Sequence, residues 1–142
     1  DVYKRQVLWG SGMIPEGLAV LGVGLDLVEI ERIEAGHSRH GARFLDRIYT
    51  EVEQAYCMQM QNPYPSLAAR FAAKEAISKA FGTGIGAALG WTSMAVHKDV
   101  NDAPVVVLDE KGEAFLRQKG GRSVLISLTH TKALAQAIAI IV

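Results

Sequence analysis

The sequence has few of the features that mark a secreted, membrane or nucleic-acid-binding protein. Cys57 is the single cysteine, which excludes an internal disulfide and leads us to expect a reducing compartment, the cytoplasm. No apolar run reaches the roughly 18 residues that span a bilayer, so we expect no membrane association. Lysine plus arginine and aspartate plus glutamate each number 15, so strong non-specific nucleic-acid binding is not expected.

The motifs of several enzyme classes are also missing. No Gly-x-x-x-x-Gly-Lys-Ser/Thr sequence occurs, which argues against a P-loop enzyme. No Gly-x-Ser-x-Gly elbow is present, and no histidine pair is spaced for a helical zinc site. Gly82, Gly84 and Gly86 resemble a dinucleotide fingerprint, but they follow a predicted helix instead of opening one after a strand.

The order of predicted elements indicates a single α+β domain, in which a small antiparallel sheet packs with helices. Residues 18–27 are apolar except for one acid and predict a buried strand. A capping box at residues 50–53 predicts a helix that runs to about Met60. Ser66 is a candidate cap for a central helix that ends at Gly82.

The two ends of the chain differ in how well they fit this domain. Residues 1–12 show no sustained period, so we expect a non-native or disordered N-terminal extension followed by the domain at residues 13–142. Towards the C-terminus we expect strands with one helix between them. The expected strands are residues 91–98, 105–108, 123–129 and 133–142, and the expected helix is residues 109–119.

The most informative segment is residues 70–86, RFAAKEAISKAFGTGIG, which predicts an amphipathic helix followed by a glycine-rich turn. Alanines form one face, so this helix can lie close to whatever it covers. Glu75 and Lys79 lie one turn apart, away from the alanines. They form either an ordinary helix-stabilising pair worth about 0.2–0.5 kcal/mol or part of a phosphate site beside the flexible glycines.

Two more polar positions stand out. Asp26 interrupts an apolar strand, where a carboxylate without a partner is costly to bury. It is either a cap or turn residue, or a metal ligand at the strand end that meets Glu75 and, with phosphate oxygens and water, binds Mg²⁺. His130 lies between two threonines at a predicted strand connection and is either a solvated turn residue or a phosphate contact.

Three segments together resemble the holo-(acyl carrier protein) synthases, which are short bacterial 4′-phosphopantetheinyl transferases. The segments are GVGLDLVEIERI at residues 22–33, residues 70–86 and SLTHTK at residues 127–132, in the family's order and at compatible spacing. The resemblance covers about residues 20–142. It implies transfer of the 4′-phosphopantetheine arm of coenzyme A to a serine of apo acyl carrier protein, with release of adenosine 3′,5′-bisphosphate.

The resemblance also implies roles for individual residues. Asp26 and Glu75 would bind Mg²⁺, Lys79 would stabilise charge on the transferring phosphate, and Glu75 or a water beside it would accept the serine proton. The implied contacts to coenzyme A are Arg70, Lys74, Gly82, His130 and Thr131. The alternative is a non-catalytic coenzyme A or nucleotide-binding module of the same fold, which would not need the acidic pair.

A basic segment after the first strand is either a solvated surface or a dock for an acidic partner. The resemblance implies a docking surface, with acyl carrier protein as the partner. The arginines concerned are Arg32, Arg39, Arg43 and Arg47.

The last strand, residues 133–142, is more apolar than a half-exposed edge strand should be. It is either a central strand covered on both faces within one subunit or a contact between subunits. The resemblance implies a homotrimer, in which Asp26 and Glu75 come from one subunit and a neighbour completes the coenzyme A pocket.

Overall fold

The computed structural model describes residues 19–86 and 88–142, which form five helices, five strands and one short 3₁₀ turn. The predicted α+β class is confirmed. In chain order the elements are β1 (Gly22–Glu29), α1 (Ile30–His40), α2 (Ala42–Ile48), α3 (Glu51–Met58), α4 (Tyr64–Phe81), the 3₁₀ turn (Trp91–Ser93), β2 (Met94–Lys98), β3 (Pro104–Leu108), α5 (Glu110–Gln118), β4 (Val124–His130) and β5 (Leu134–Ile141).

The strands form two antiparallel sheets. One has three strands in the order β1-β5-β4, and the other is the hairpin of β2 and β3. In the larger sheet Asp26 lies opposite Ala137, and His130 lies opposite Ala135. His130 is therefore the last residue of β4 and not part of the connection, which was the predicted place.

The packing of α4 on β1 is unusually close because two glycines of the strand have no side chain. A Cβ at Gly24 would lie 1.8 Å from the backbone oxygen of Ala76, and one at Gly22 would lie 2.0 Å from that of Ala80. Ala76 and Ala80 are buried at this contact. The prediction that small residues let this helix approach its neighbour is confirmed.

The prediction that α4 is amphipathic is wrong. Phe71 and Ala72 lie on the same side of the helix as Glu75 and Lys79, yet both are buried, as are most residues of the helix. The sheet covers one side of α4, while α1, α3 and β2 contact it elsewhere. Only Glu75 and Lys79 in its second half retain substantial exposure.

The prediction for β1 also needs correction. The strand is not buried on both faces, because burial alternates along it and Val23, Leu25 and Leu27 are each more than half exposed. Asp26 lies inside the strand, three residues before its end, and not at the strand end as predicted. Asp26 alternates with the exposed Leu25 and Leu27, so its side chain points to the opposite face of the strand, which α4 covers.

Helix boundaries follow the predicted local signals in most places. Both hydrogen bonds of the capping box between Thr50 and Glu53 are present at the start of α3. Gly82 ends α4 in the left-handed conformation, with φ of 78°. The predicted cap Ser66 is wrong, since α4 already begins after Pro63. The basic segment is divided into two helices at Gly41, whose φ is 60°.

Residues 1–18 lie outside the described residues, and with them the predictions for residues 1–12 and for the start of the domain. Among the helices of residues 19–86 and 88–142, none is long and apolar enough to cross a membrane.

We predict that Gly24→Ala destabilises the protein by about 2–3 kcal/mol, because the new methyl group forces α4 away from β1. The free energy of unfolding from urea denaturation measures this effect. Gly86→Ala is the matched control, since nothing lies within 4 Å of a Cβ at that position. Equal stability of the two variants would contradict the proposed close contact.

Candidate active site

Asp26, Glu75 and Lys79 lie together where β1 crosses the second half of α4. The Lys79 ammonium donates to Asp26 Oδ1 at 3.1 Å and to the backbone oxygen of Leu25 at 3.0 Å. The side chain of Asp26 is 16% exposed and that of Lys79 is 52% exposed. The site is thus open to solvent on the lysine side and enclosed around the aspartate.

Glu75 belongs to the same cluster, because the charges of Asp26 and Lys79 act on its pKa. Partial burial raises the pKa of Glu75, and the carboxylate of Asp26 raises it further, whereas Lys79 and Arg32 lower it. The carboxylates of Asp26 and Glu75, 49 positions apart in sequence, are therefore close enough to interact electrostatically.

Such a pair could hold a divalent cation, because carboxylate oxygens are the ligands that Mg²⁺ prefers and a cation would remove the repulsion. Within residues 19–86 and 88–142, no group of three or more His, Cys, Asp or Glu side chains could hold a metal ion. A cation at Asp26 and Glu75 would therefore need further oxygens from a phosphate or from water, as the sequence prediction assumed.

A second feature lies nearer the N-terminus of α4. Arg70 and His130 line the same cavity of about 260 Å³, although they are 60 positions apart. Arg70 is five residues before Glu75, which is about 7.5 Å along the helix axis. The cavity also has polar side chains for which the sequence predicted no contact with a ligand, namely Tyr56, Asn62, Ser66, Lys98 and Thr129.

Arg70 is held rigidly at the inner wall of this cavity. Its Nε donates to the backbone oxygen of Val96 at 3.3 Å, and its guanidinium carbon lies 4.7 Å from the ring centroid of Tyr56. With Lys98 and His130 it makes the cavity rich in basic groups, which suits an anionic ligand such as a nucleotide phosphate.

The other predicted coenzyme A contacts are not brought to this cavity. Lys74 is fully buried and donates to three protein oxygens, so its predicted contact with the nucleotide is wrong in this structure. Thr131 Oγ1 accepts from the backbone N–H of Leu134 and so stabilises the turn before β5. Gly82 is exposed at the end of α4, on the side of Lys79 and away from Arg70.

The four arginines of the basic segment lie on two helices. Arg43 and Arg47 of α2 line a cavity of about 190 Å³ with His40 and Phe44. Arg39 is exposed near the end of α1. Arg32 lies near the acidic cluster instead, with its guanidinium carbon 5.7 Å from the ring centroid of Phe71.

Comparison with known proteins identifies the family of this chain. Residues 22–138 match the model of the 4′-phosphopantetheinyl transferase superfamily, a range that includes the acidic cluster and the cavity. The chain belongs to this family. Holo-[acyl-carrier-protein] synthase of Chlamydia trachomatis serovar L2 is 47% identical over 121 residues, which are 85% of this chain and 98% of that protein.

Solved structures agree with this assignment. The holo-[acyl-carrier-protein] synthase of Neisseria meningitidis superposes with a TM-score of 0.82 at 30% identity, covering 87% of this chain and 98% of that one. The Helicobacter pylori enzyme, solved in complex with coenzyme A, has a TM-score of 0.76 at 30% identity and covers 84% and 99%. The predicted family is confirmed, and the chain is an enzyme of the phosphopantetheinyl transferase class.

Proposed function

We propose that this enzyme transfers the 4′-phosphopantetheine group of coenzyme A to a serine of apo acyl carrier protein, in an Mg²⁺-dependent reaction that releases adenosine 3′,5′-bisphosphate. The observation that carries the proposal is the placement along α4 of a basic cavity followed by the acidic cluster. The coenzyme A bound to the Helicobacter pylori relative supports the same substrate here.

The reaction needs no nucleophile from the enzyme, because the serine hydroxyl of the carrier protein attacks the phosphate. The enzyme has to hold the diphosphate, offset the charge that develops on it and receive one proton. Arg70 and His130 would bind the nucleotide end in the cavity. Lys79, whose side chain is half exposed beside Asp26, would contact the transferring phosphate.

The donor set of Asp26 and Glu75 fits Mg²⁺, since both are hard oxygen ligands and they repel each other without a cation. When bound, the ion would supply charge neutralisation at the diphosphate. Glu75, or a water beside it, would accept the serine proton.

The test is mass spectrometry of apo acyl carrier protein incubated with the enzyme, coenzyme A and Mg²⁺. We predict a mass gain of one phosphopantetheine group, lost when a chelator removes the metal.

Glu75→Gln should lower kcat/KM about 100-fold or more, because it removes a metal ligand and the proton acceptor. Glu113→Gln, on the exposed side of α5, is the control.

Two results would reject the proposal. Tight binding of coenzyme A without any mass gain would favour a non-catalytic binding module. Release of adenosine 3′,5′-bisphosphate from coenzyme A in the absence of carrier protein would indicate a phosphohydrolase.

The carrier protein docks, we propose, on the basic surface formed by Arg32, Arg39, Arg43 and Arg47. Phe44 lines a cavity in this surface together with Arg43 and Arg47, so the cavity offers an apolar surface beside two cations. Such a surface suits an acidic protein that also presents an apolar side chain. Arg32 would join this surface to the acidic cluster, since it acts on the pKa of Glu75.

Arg43→Glu should raise the KM for carrier protein about tenfold at low salt, because it reverses one charge in the dock. Added salt should weaken the wild-type interaction and shrink the difference. The KM for coenzyme A should not change. Arg117→Glu on α5 is the matched charge reversal, and an equal effect of both variants would place the dock elsewhere.

A homotrimer is our proposal for the assembly, with a neighbouring subunit completing the coenzyme A pocket. It is supported by the outward face of the larger sheet. β5 is central in that sheet, but its outward face is not covered within the subunit, since Ile138 is 36% exposed. Ile138 lies opposite Leu25, and Leu125 on β4, which is opposite Ile140, is 52% exposed on the same face. An apolar face of this size favours association.

Ile138→Glu should convert the assembly to monomers, because it introduces a charge at the centre of the apolar sheet face. Light scattering measures the mass, and specific activity should fall together with it. Val100→Glu is the matched control in the fully exposed turn between β2 and β3. A wild-type protein with the mass of one subunit and full activity at the same concentration would exclude the trimer.

We also propose the cytoplasm as the location, where coenzyme A and acyl carrier protein would be available together. The unpaired, buried thiol of Cys57 suits a reducing compartment.

A further inference from the structure

A buried ion pair lies directly behind the acidic cluster and takes no part in the proposed reaction. Lys74 Nζ donates to Glu53 Oε1 at 2.6 Å, and both side chains are 0% exposed. Its other two N–H groups point to the backbone oxygens of Ile48 at 2.6 Å and Trp91 at 3.1 Å. An ammonium has three donors, so Lys74 has no hydrogen-bonding capacity left for a ligand.

Glu53 is equally engaged. Oε1 also accepts from the backbone N–H of Thr50 at 3.0 Å, and Oε2 accepts from that of Val96 at 3.0 Å. The pair therefore connects the end of α2, the start of α3, the middle of α4, the 3₁₀ turn and β2. Within the described residues, no buried side-chain nitrogen or oxygen lacks a hydrogen-bond partner.

Stability alone is a weak reason for such a pair. Removing two ions from water is costly, and apolar residues of similar volume often stabilise a protein as well or better. Burial accordingly lowers the pKa of Lys74, and the charge of Glu53 only partly opposes this effect. What an ion pair with fixed hydrogen bonds adds is a unique orientation of the helix that carries it.

That orientation matters here because of what α4 carries. Lys74 immediately precedes Glu75, and consecutive helical residues project about 100° apart. Glu75 lies close enough to Asp26 of β1 to feel its charge, so fixing Lys74 on α2, α3 and the 3₁₀ turn also fixes the direction of Glu75 towards β1. Arg70 is anchored at the same place, because its Nε donates to the backbone oxygen of Val96, whose N–H donates to Glu53.

We propose that Lys74 and Glu53 are positioning residues, which fix the rotation of α4 so that Glu75 faces Asp26 while Arg70 stays in the nucleotide cavity. Neither touches substrate. This inference rests on the proposed function, since it needs transfer activity as its readout. If the wild-type enzyme fails to transfer, the proposed function fails. If it transfers and the variants below behave otherwise than expected, only the positioning role fails.

The experiment separates positioning from stability with a double variant. Lys74→Met alone leaves a buried carboxylate without its counter-ion, so it should lower the urea midpoint strongly. Lys74→Met combined with Glu53→Gln removes both charges and keeps one amide oxygen as acceptor for the backbone N–H of Val96 or Thr50, so it should recover part of that midpoint. We expect kcat of the double variant to stay about 100-fold below wild type, because a shift of about 1 Å at Glu75 is enough for such a loss.

Tyr49→Phe is the control, because Tyr49 follows α2 and also holds α4 through a buried hydrogen bond. It deletes the 2.8 Å hydrogen bond from Tyr49 to the backbone oxygen of Leu67 and leaves Lys74 and Glu53 in place. It should lower the urea midpoint but keep kcat. The KM for carrier protein should be unchanged in all variants, since the basic surface is not altered, whereas the Mg²⁺ concentration for half-maximal rate should rise in the double variant.

Near wild-type kcat in a folded double variant would overturn the inference. If that variant does not fold, Glu53→Gln decides the matter, because it is isosteric and keeps an oxygen for Lys74. A lower kcat for Glu53→Gln than for Tyr49→Phe at equal stability supports positioning, and equal kcat values overturn it.

Discussion

The backbone contact between α4 and β1 is the constraint on which the rest of the structure depends. Because Gly22 and Gly24 have no side chain, the helix lies almost directly on the strand. Asp26 follows one of these glycines by two residues, so its carboxylate emerges on the same face of β1 as the helix. The contact that builds the core thus also brings Asp26 to Glu75 and Lys79. Fold and site share one cause, and a larger residue at Gly24 should damage both.

The opposite side of α4 is controlled by charge instead of close packing. Packing of alanines alone would let a helix slide or rotate against its neighbour. Lys74 and Glu53 prevent this, because their hydrogen bonds have fixed partners and directions. Directional bonds on one side and close backbone contact on the other leave α4 little freedom. This combination suits an enzyme in which positioning and electrostatics are expected to supply most of the rate.

The sequence was informative where chemistry and local signals coincide, and misleading where burial depends on distant parts of the chain. Asp26, Glu75 and Lys79 were singled out because few charges interrupt these apolar segments, and the structure brings the three together. Lys74 was misassigned because a helix period cannot show that Glu53, 21 residues earlier, supplies a buried partner. A signal existed, since Glu53 closes a predicted capping box, but a capping glutamate is normally a surface residue.

The incorrect prediction that β1 is buried on both faces has a different origin, which concerns the association of subunits. An apolar strand predicts burial on both faces, and within one subunit only one face of β1 is buried. The exposed leucines and valines are costly in water, so the pattern is physically reasonable only if something covers them. In the proposed trimer the sequence pattern would be right for the assembly although wrong for the subunit. The active site would then depend on association, because the sheet that carries Asp26 on its inner face would carry the subunit contact on its outer face.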